Sequence, residues 1–404
     1  MRILFRNSDP GSGGGVSGVA QMMEAYCGRF PDDRLRIQCA GESPLAALGR
    51  FPNVEVEPLA GSRREIHRLA WAAHGIRRQL AHTACDLVWS MNVGPLVKTA
   101  VPQVLSIQNA YQVCPWRLAR RHAGGRTRVA ALRWFFRRSL GCADAAIVQT
   151  DLMKEYVQAI PGCPERVEVV PKAVVSTADD GGQPLSPALE RTLRRASAAG
   201  AFTALYAATY GPHKNHRLLA EAMEICRRSA VPVRLVVTLT AAEWAAAAGA
   251  AAEGLVRSGH AIAAGWVPKD QLRALYAGVD CCVMPSLLES LSSAHLEAME
   301  WRRPQIAADL PYAREVCGDA ALYADPADAP EWVGQLERLR DDRGLRERLV
   351  SRGAARLAGF PATWSAMAER LRWVFLAVVK NKRRATAWAA EEAPLAASSL
   401  AAKE

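Results

Sequence analysis

The chain has 404 residues, half of them hydrophobic, and a formal net charge of +11. That length exceeds what one hydrophobic core normally serves and implies two domains. No apolar run reaches the ~18 residues of a spanning helix, and the basic balance points to nucleic acid, an anionic membrane surface or a phosphorylated small molecule. The opening MRILFRNSDP lacks an apolar signal core and reads as a first strand. Ten scattered cysteines (27, 39, 85, 114, 142, 163, 226, 281, 282, 317) form no CxxC pair, which argues against zinc and for reduced cytosolic thiols.

Short apolar runs alternate with longer helical patterns. RILFR (2–6), LRIQCA (35–40), DLVWSM (86–91), QVLSI (103–107), AAIVQ (145–149) and RVEVV (166–170) read as buried strands. A polar stretch with a Gly pair and two prolines, STADDGGQPLSP (176–187), reads as a linker. The alternation then restarts with FTALYAA (202–208), VRLVVT (233–238), AIAAG (261–265), VDCCVM (279–284), PQIAA (304–308) and ALYA (321–324). Two α/β halves of this kind predict two Rossmann-like domains facing across a cleft, with ligands beyond the carboxyl ends of the strands. The predicted partition is an N-terminal domain at 1–178, a linker at 179–196 and a C-terminal domain at 197–362. A helix at 363–380 returns to the first domain, and 381–404 is a flexible tail.

Three stretches carry chemistry. In NSDPGSGGGVSGVAQMM (7–23), Gly13, Gly14 and Gly15 end a strand and open a helix. They would let a phosphate or substrate approach the backbone, or simply make a tight turn. A dinucleotide fingerprint fits less well, because no acidic residue ends the second strand. In ALYAATYGPHKNHRLL (204–219), a Gly-Pro turn precedes Lys214, a point charge for a phosphate or a solvated lysine; His213 and His216 read as polar surface or supporting groups. In PSLLESLSSAHLEAM (285–299), Glu289 falls in a loop and Glu297 one turn inside a helix that starts near Ser292 or Ser293. The amides around Leu291 to Ser293 would welcome a diphosphate between two hydroxyl-accepting carboxylates, which suits a sugar–diphosphate–nucleoside. A dipole-paired glutamate beside a solvated one is the alternative. An acid/base pair for glycoside hydrolysis suits the basic surroundings less well.

Together these segments resemble a family. From about 200 to 330 the chain is similar to the retaining glycosyltransferases of the GT-B fold, glycosyltransferase family 4 (glycosyl transferases group 1). The resemblance rests on LYAATYGPHKNHRLLAEAM, on GWVPKDQLRALYAGVDCCVMPSLLESLSSAHLEAM and on RRPQIAADLPYAREVCGDAALYADP; VQTDLMKEYV…VEVVPKAV (148–175) and the glycine loop match more loosely. It implies that Glu289 binds the donor sugar near its reacting carbon, Glu297 holds the ribose hydroxyls, and Lys214 holds the diphosphate with the amides of Leu291 and Ser292. Gly14 and Gly15 would line the cleft, and Trp266 and Val267 would lie near the base. Two positions depart from the pattern. Ala208-Thr209 replaces a Gly-Arg pair, removing a phosphate-binding cation that Tyr210 or His213 would have to replace. Gln108 and Asn109 stand where a histidine is common; they cannot act as bases at neutral pH, but can hydrogen-bond a sugar.

Residues 111–143 carry eight arginines and no acid, with Trp116, Leu132, Trp134, Phe135 and Phe136 interleaved. Such a segment suits an anionic lipid interface, at about 1 kcal/mol per basic residue, or a helix packed with its aromatics inward. No nucleic-acid module is evident.

The sequence thus predicts a retaining transferase that moves a hexose from a nucleotide-diphosphate sugar to a glycan or lipid-linked acceptor in bacterial surface polysaccharide biosynthesis. No cofactor or metal is expected beyond the donor co-substrate. The place expected is the cytoplasm, in peripheral contact with the inner face of the membrane. The alternative is a catalytically inactive GT-B scaffold in a glycan assembly complex, motivated by Thr209.

Overall fold

The computed structural model describes residues 1–7, 14–40, 42–58, 76–120, 125–174 and 182–401. The chain divides into two compact units. The first comprises Met1–Val113, Ala130–Val170 and Ser365–Glu404, and the second Cys114–Val129 and Pro171–Trp364.

The first unit is built on a seven-stranded sheet: β1 (Arg2–Arg6), β2 (Arg34–Cys39), β3 (Val54–Pro58), β4 (Leu87–Met91), β5 (Gln103–Ser106), β6 (Ala145–Val148) and β7 (Arg166–Val169). The order is β3-β2-β1-β4-β5-β6-β7 and every pairing among the described residues is parallel. Strands covered on both faces read as unbroken apolar runs, as β4 does, with all five residues buried. Edge strand β3, VEVEP, alternates charge and is half-exposed, so it carries no apolar-run signal and is absent from the strands expected above. Phe5, Tyr26 and Trp89 pack with Phe375 from the C-terminal helix, whose ring lies 4.8 Å from that of Trp89. Burying an aromatic ring of this size stabilises by about 3 kcal/mol.

The second unit repeats the plan with six strands: β8 (Phe202–Tyr206), β9 (Val233–Val237), β10 (Ala261–Ala263), β11 (Cys281–Met284), β12 (Gln305–Ala308) and β13 (Leu322–Ala324). The order is β10-β9-β8-β11-β12-β13, again parallel. From β8 the chain winds outward through β9 and β10, and then returns to lay β11 against the other side of β8. The loops leaving β8 and β11 therefore separate at a topological switch point, the position where open α/β sheets present ligand sites. Below it, Thr203 donates its N–H and hydroxyl to Asp280, each at 2.7 Å, pinning the start of β8 to the residue before β11. Cys281 and Cys282 are buried core residues, as small thiols in an apolar run should be.

Several expectations need correction. The linker predicted at 179–196 overlaps a helix, Pro187–Ala198, although 175–181 lie outside the described residues. Ser186 caps it by accepting from Leu189 N, Pro187 pre-sets the first turn, and Leu193 and Ala196 are buried beneath it. The boundary predicted at 178 falls instead between Val170 and Pro171, and Cys114–Val129 group with the second unit. The helix predicted at 363–380 is longer, Trp364–Ala401, and runs on through the segment read as a tail from 381. Its low complexity conceals two ion pairs, Lys382 to Asp144 at 2.7 Å and Arg383 to Asp86 at 3.1 Å.

Candidate functional site

The loops after β8 and β11 are stitched together. Leu287 N donates to His213 O at 2.7 Å. Asn215, in the left-handed region at φ 57°, turns its amide to Pro285 O at 3.2 Å and Pro326 O at 2.8 Å. The buried Tyr206 ends β8, and its hydroxyl donates to Lys214 O at 2.9 Å and shares a hydrogen bond with Ser286 Oγ at 2.8 Å. Tyr312 donates to Ser286 O at 2.7 Å.

On this scaffold Lys214 Nζ lies 2.5 Å from Glu289 Oε1, with both side chains largely withdrawn from water. Burial pushes the Glu289 carboxyl up, but the charges of Lys214 and His213 and hydrogen bonds from Lys214 and Ser286 outweigh it and hold it below the usual glutamate range. Lys214 stands before the helix rather than in it. It ends a tight turn, Pro212–Lys214, and the helix His216–Arg228 follows Asn215. His216 is not a surface group either: it is buried, both ring nitrogens lack a hydrogen-bond partner among the described residues, and its ring lies 4.8 Å from that of Tyr206. Burial, then the neighbouring Lys214 and His213, push its pKa down to about 4.

The helix after Glu289 runs Ser293–Glu300. Ser292 occupies the N-cap position of this helix, and at φ 64° its side chain makes no cap bond. A non-glycine residue in that region marks local strain, a recurrent feature of sites. Leu291 is buried just before it. Glu297, one turn on, accepts from the buried Tyr276 hydroxyl at 2.9 Å. Lys172, which sequence reasoning missed, donates from Nζ to Ser293 Oγ at 2.5 Å.

The structure thus brings Lys214 and Glu289 into contact and sets Leu291, Ser292 and Glu297 on the adjoining segment. Thr209 is exposed in the loop after β8. After β10, Gly265 at φ 73° turns the chain, leaving Trp266 76% exposed while Val267 packs into the core. Gly14 and Gly15 open the helix Gly14–Arg29 in the first unit, and Gly13 lies outside the described residues. Asn109, also in the first unit, donates its backbone N–H to Asn92 Oδ1 at 3.2 Å, as does Gln108 at 2.9 Å. Among the described residues no group of three or more His, Cys, Asp or Glu is placed to hold a metal ion. No helix among them is long and apolar enough to cross a membrane. In the basic segment, Leu132 and Phe136 are buried and unavailable to an interface, whereas Trp134 is 61% exposed.

The architecture is shared with solved structures. A sucrose-phosphate synthase from Thermosynechococcus elongatus superposes with a TM-score of 0.67 at 14% identity, over 94% of this chain and 100% of that one. The Anabaena HepE protein, solved with UDP and glucose, does so with a TM-score of 0.67 at 16% identity, over 93% and 100%. The fold they share with this chain is that of the GT-B glycosyltransferases. Residues 201–342 match the family model of glycosyl transferases group 1, a segment holding every residue of the stitched loops and the Ser293–Glu300 helix. Among curated relatives, O-antigen chain mannosyltransferase B of Escherichia coli is 30% identical over 164 residues, 39% of this chain and 42% of the relative. Alpha-D-kanosaminyltransferase of Streptomyces kanamyceticus is 34% identical over 95 residues, 23% of this chain and 24% of the relative. The chain spans less than half the length of the curated relatives it matches.

Proposed function

We propose that the protein is a glycosyltransferase that moves a hexose from a nucleotide-diphosphate sugar to a glycan or lipid-linked acceptor in surface polysaccharide biosynthesis, with retention of configuration. The observation that carries this reading is the Lys214–Glu289 pair, held at the switch point of the second sheet and followed by a helix N-terminus and Glu297. Lys214 and the first amides of that helix are suited to the donor diphosphate, Glu289 to the sugar and Glu297 to the ribose hydroxyls. In transfer, the bond from the anomeric carbon to the diphosphate oxygen breaks, and a bond to the acceptor oxygen forms on the same face. The leaving phosphate oxygen takes the acceptor's proton. Glu289 remains ionised and aligned by Lys214, so it serves as a positioning group for the sugar rather than as a proton donor.

The relative named O-antigen chain mannosyltransferase B supports a hexose, mannose among them, and a polysaccharide acceptor. The exposed Trp134, with exposed Arg137 and Arg138 beside it on the helix Arg126–Leu140, supports contact with an anionic membrane carrying such an acceptor. Incubation with candidate nucleotide sugars and a lipid-linked glycan, followed by NMR of the product's anomeric signal, tests the reading. Transfer with retained configuration is expected, with loss in Glu289→Ala. Binding of a nucleoside diphosphate without any transfer or donor hydrolysis would instead favour the scaffold role that the uncharged Thr209 suggests.

A further inference from the structure

Lys214 and Glu289 form a pair whose charges sum to zero. A diphosphate carries at least two negative charges, so this pair alone gives little net attraction, and Thr209 adds none. A second cation is present. Lys172 follows β7 in the apolar stretch VVPKAV, and Val174 N, two residues on, bonds Pro361 O at 3.0 Å and fixes the segment. The Lys172 side chain reaches the first residue of the Ser293–Glu300 helix, donating to Ser293 Oγ at 2.5 Å, and its ammonium stands 5.7 Å from the centre of the Trp364 ring.

Among the described residues, this ammonium donates to one neutral hydroxyl and has no carboxylate within ion-pair distance. Burial lowers its pKa from the ordinary lysine value, and the charge of Glu297 partly opposes that. A cation withdrawn from water without a direct counter-ion is costly in the free protein and gains most when an anion arrives. The helix N-terminus beside it, with Ser292 strained at φ 64°, offers amides to the same anion.

We propose that Lys172 is a second phosphate-binding cation of the donor site, supplying beside Ser293 the positive charge that Thr209 lacks. This rests on the donor reading above.

The test is calorimetric titration of the full chain and of Lys172→Met with UDP, GDP, ADP and dTDP and with the four corresponding nucleosides. For the diphosphate that the wild type binds, Lys172→Met should raise Kd about 10- to 100-fold, as expected for loss of a charge-assisted contact. The nucleoside of the same base should bind the variant and the wild type alike, and Lys172→Arg should keep most of the diphosphate affinity. Removing a half-buried cation that has no direct counter-ion among the described residues should leave the Tm of Lys172→Met without ligand at or above that of the wild type. Unchanged diphosphate affinity in Lys172→Met overturns the inference, as does an equal loss for nucleoside and diphosphate, which would mark a purely structural role. A wild type that binds none of the four diphosphates overturns the donor reading itself.

Discussion

Lys214 and Glu289 sit 75 residues apart in sequence, yet Nζ and Oε1 lie 2.5 Å apart, because β8 and β11 are neighbours and their following loops share hydrogen bonds. The pair is both a structural contact and the centre of the proposed site. Breaking one side of a buried pair strands the other charge, at a typical cost of about 3 kcal/mol. Lys214→Met should therefore destabilise the second unit by that order in urea titration, and Lys214→Met/Glu289→Gln should recover most of the loss. Transfer activity should be lost in the single and the double variant alike. Recovery of activity in the double variant would make the pair merely structural.

Glu297 is held by Tyr276, whose hydroxyl donates to Oε2 at 2.9 Å. Tyr276→Phe keeps the ring, which packs 4.4 Å from that of Trp301, and frees the carboxylate. Loss of one hydrogen bond to a charged group, about 1.5 kcal/mol, should raise the donor KM roughly 10-fold with kcat little changed. A fall in kcat at constant KM would place Glu297 elsewhere in the reaction.

His216 makes stability depend on pH. Its pKa falls from the ordinary 6.5 to about 4 in the folded chain, so below pH 6.5 the unfolded chain takes up a proton that the folded chain refuses. Stability present at neutral pH is then lost progressively down to the folded pKa, by about 3 kcal/mol at pH 4. Denaturation midpoints measured at pH 7 and pH 4.5 should differ less in His216→Leu than in the wild type. Equal pH dependence in both would remove His216 as the cause.

Asp33 joins the two ends of the first unit. It accepts from the Met1 ammonium at 2.6 Å, from the Tyr26 hydroxyl at 2.9 Å and from Arg372 Nε at 2.9 Å. Burial works against the ionised carboxyl, but these donors hold its pKa below the usual aspartate value, so the stabilisation is present above the ordinary value and is lost as pH falls through the folded one. Arg372→Ala should cost about 2 kcal/mol, the scale of a charge-assisted hydrogen bond to a buried acid. Protection of the C-terminal helix amides in hydrogen exchange should fall with it. Unaltered protection would mean that Arg372 contributes nothing to docking this helix.

Much of this was legible in the chain. Strands buried on both faces announced themselves as apolar runs, and Lys214, Glu289 and Glu297 stood out as charges at the mouths of such runs. The residues that hold them did not stand out. Tyr206, Ser286 and Tyr312 are ordinary strand and loop residues until β8 and β11 are known to be adjacent. Lys172 lies 121 residues from the serine it contacts, and its one local signal was a lone charge in VVPKAV. The helix Pro187–Ala198 was obscured by the turn-rich polar run before it, although Ser186-Pro187 with Glu190 is a helix start.

The most direct test of the central claim is thermal denaturation with UDP, GDP, ADP and dTDP, for the wild type and Glu297→Ala. The account predicts that one nucleotide raises the wild-type Tm by several degrees and that this rise shrinks or vanishes in Glu297→Ala, since a ligand at 100 times its Kd stabilises the folded state by about 2.7 kcal/mol. A folded wild type indifferent to all four, or an undiminished rise in Glu297→Ala, would contradict it.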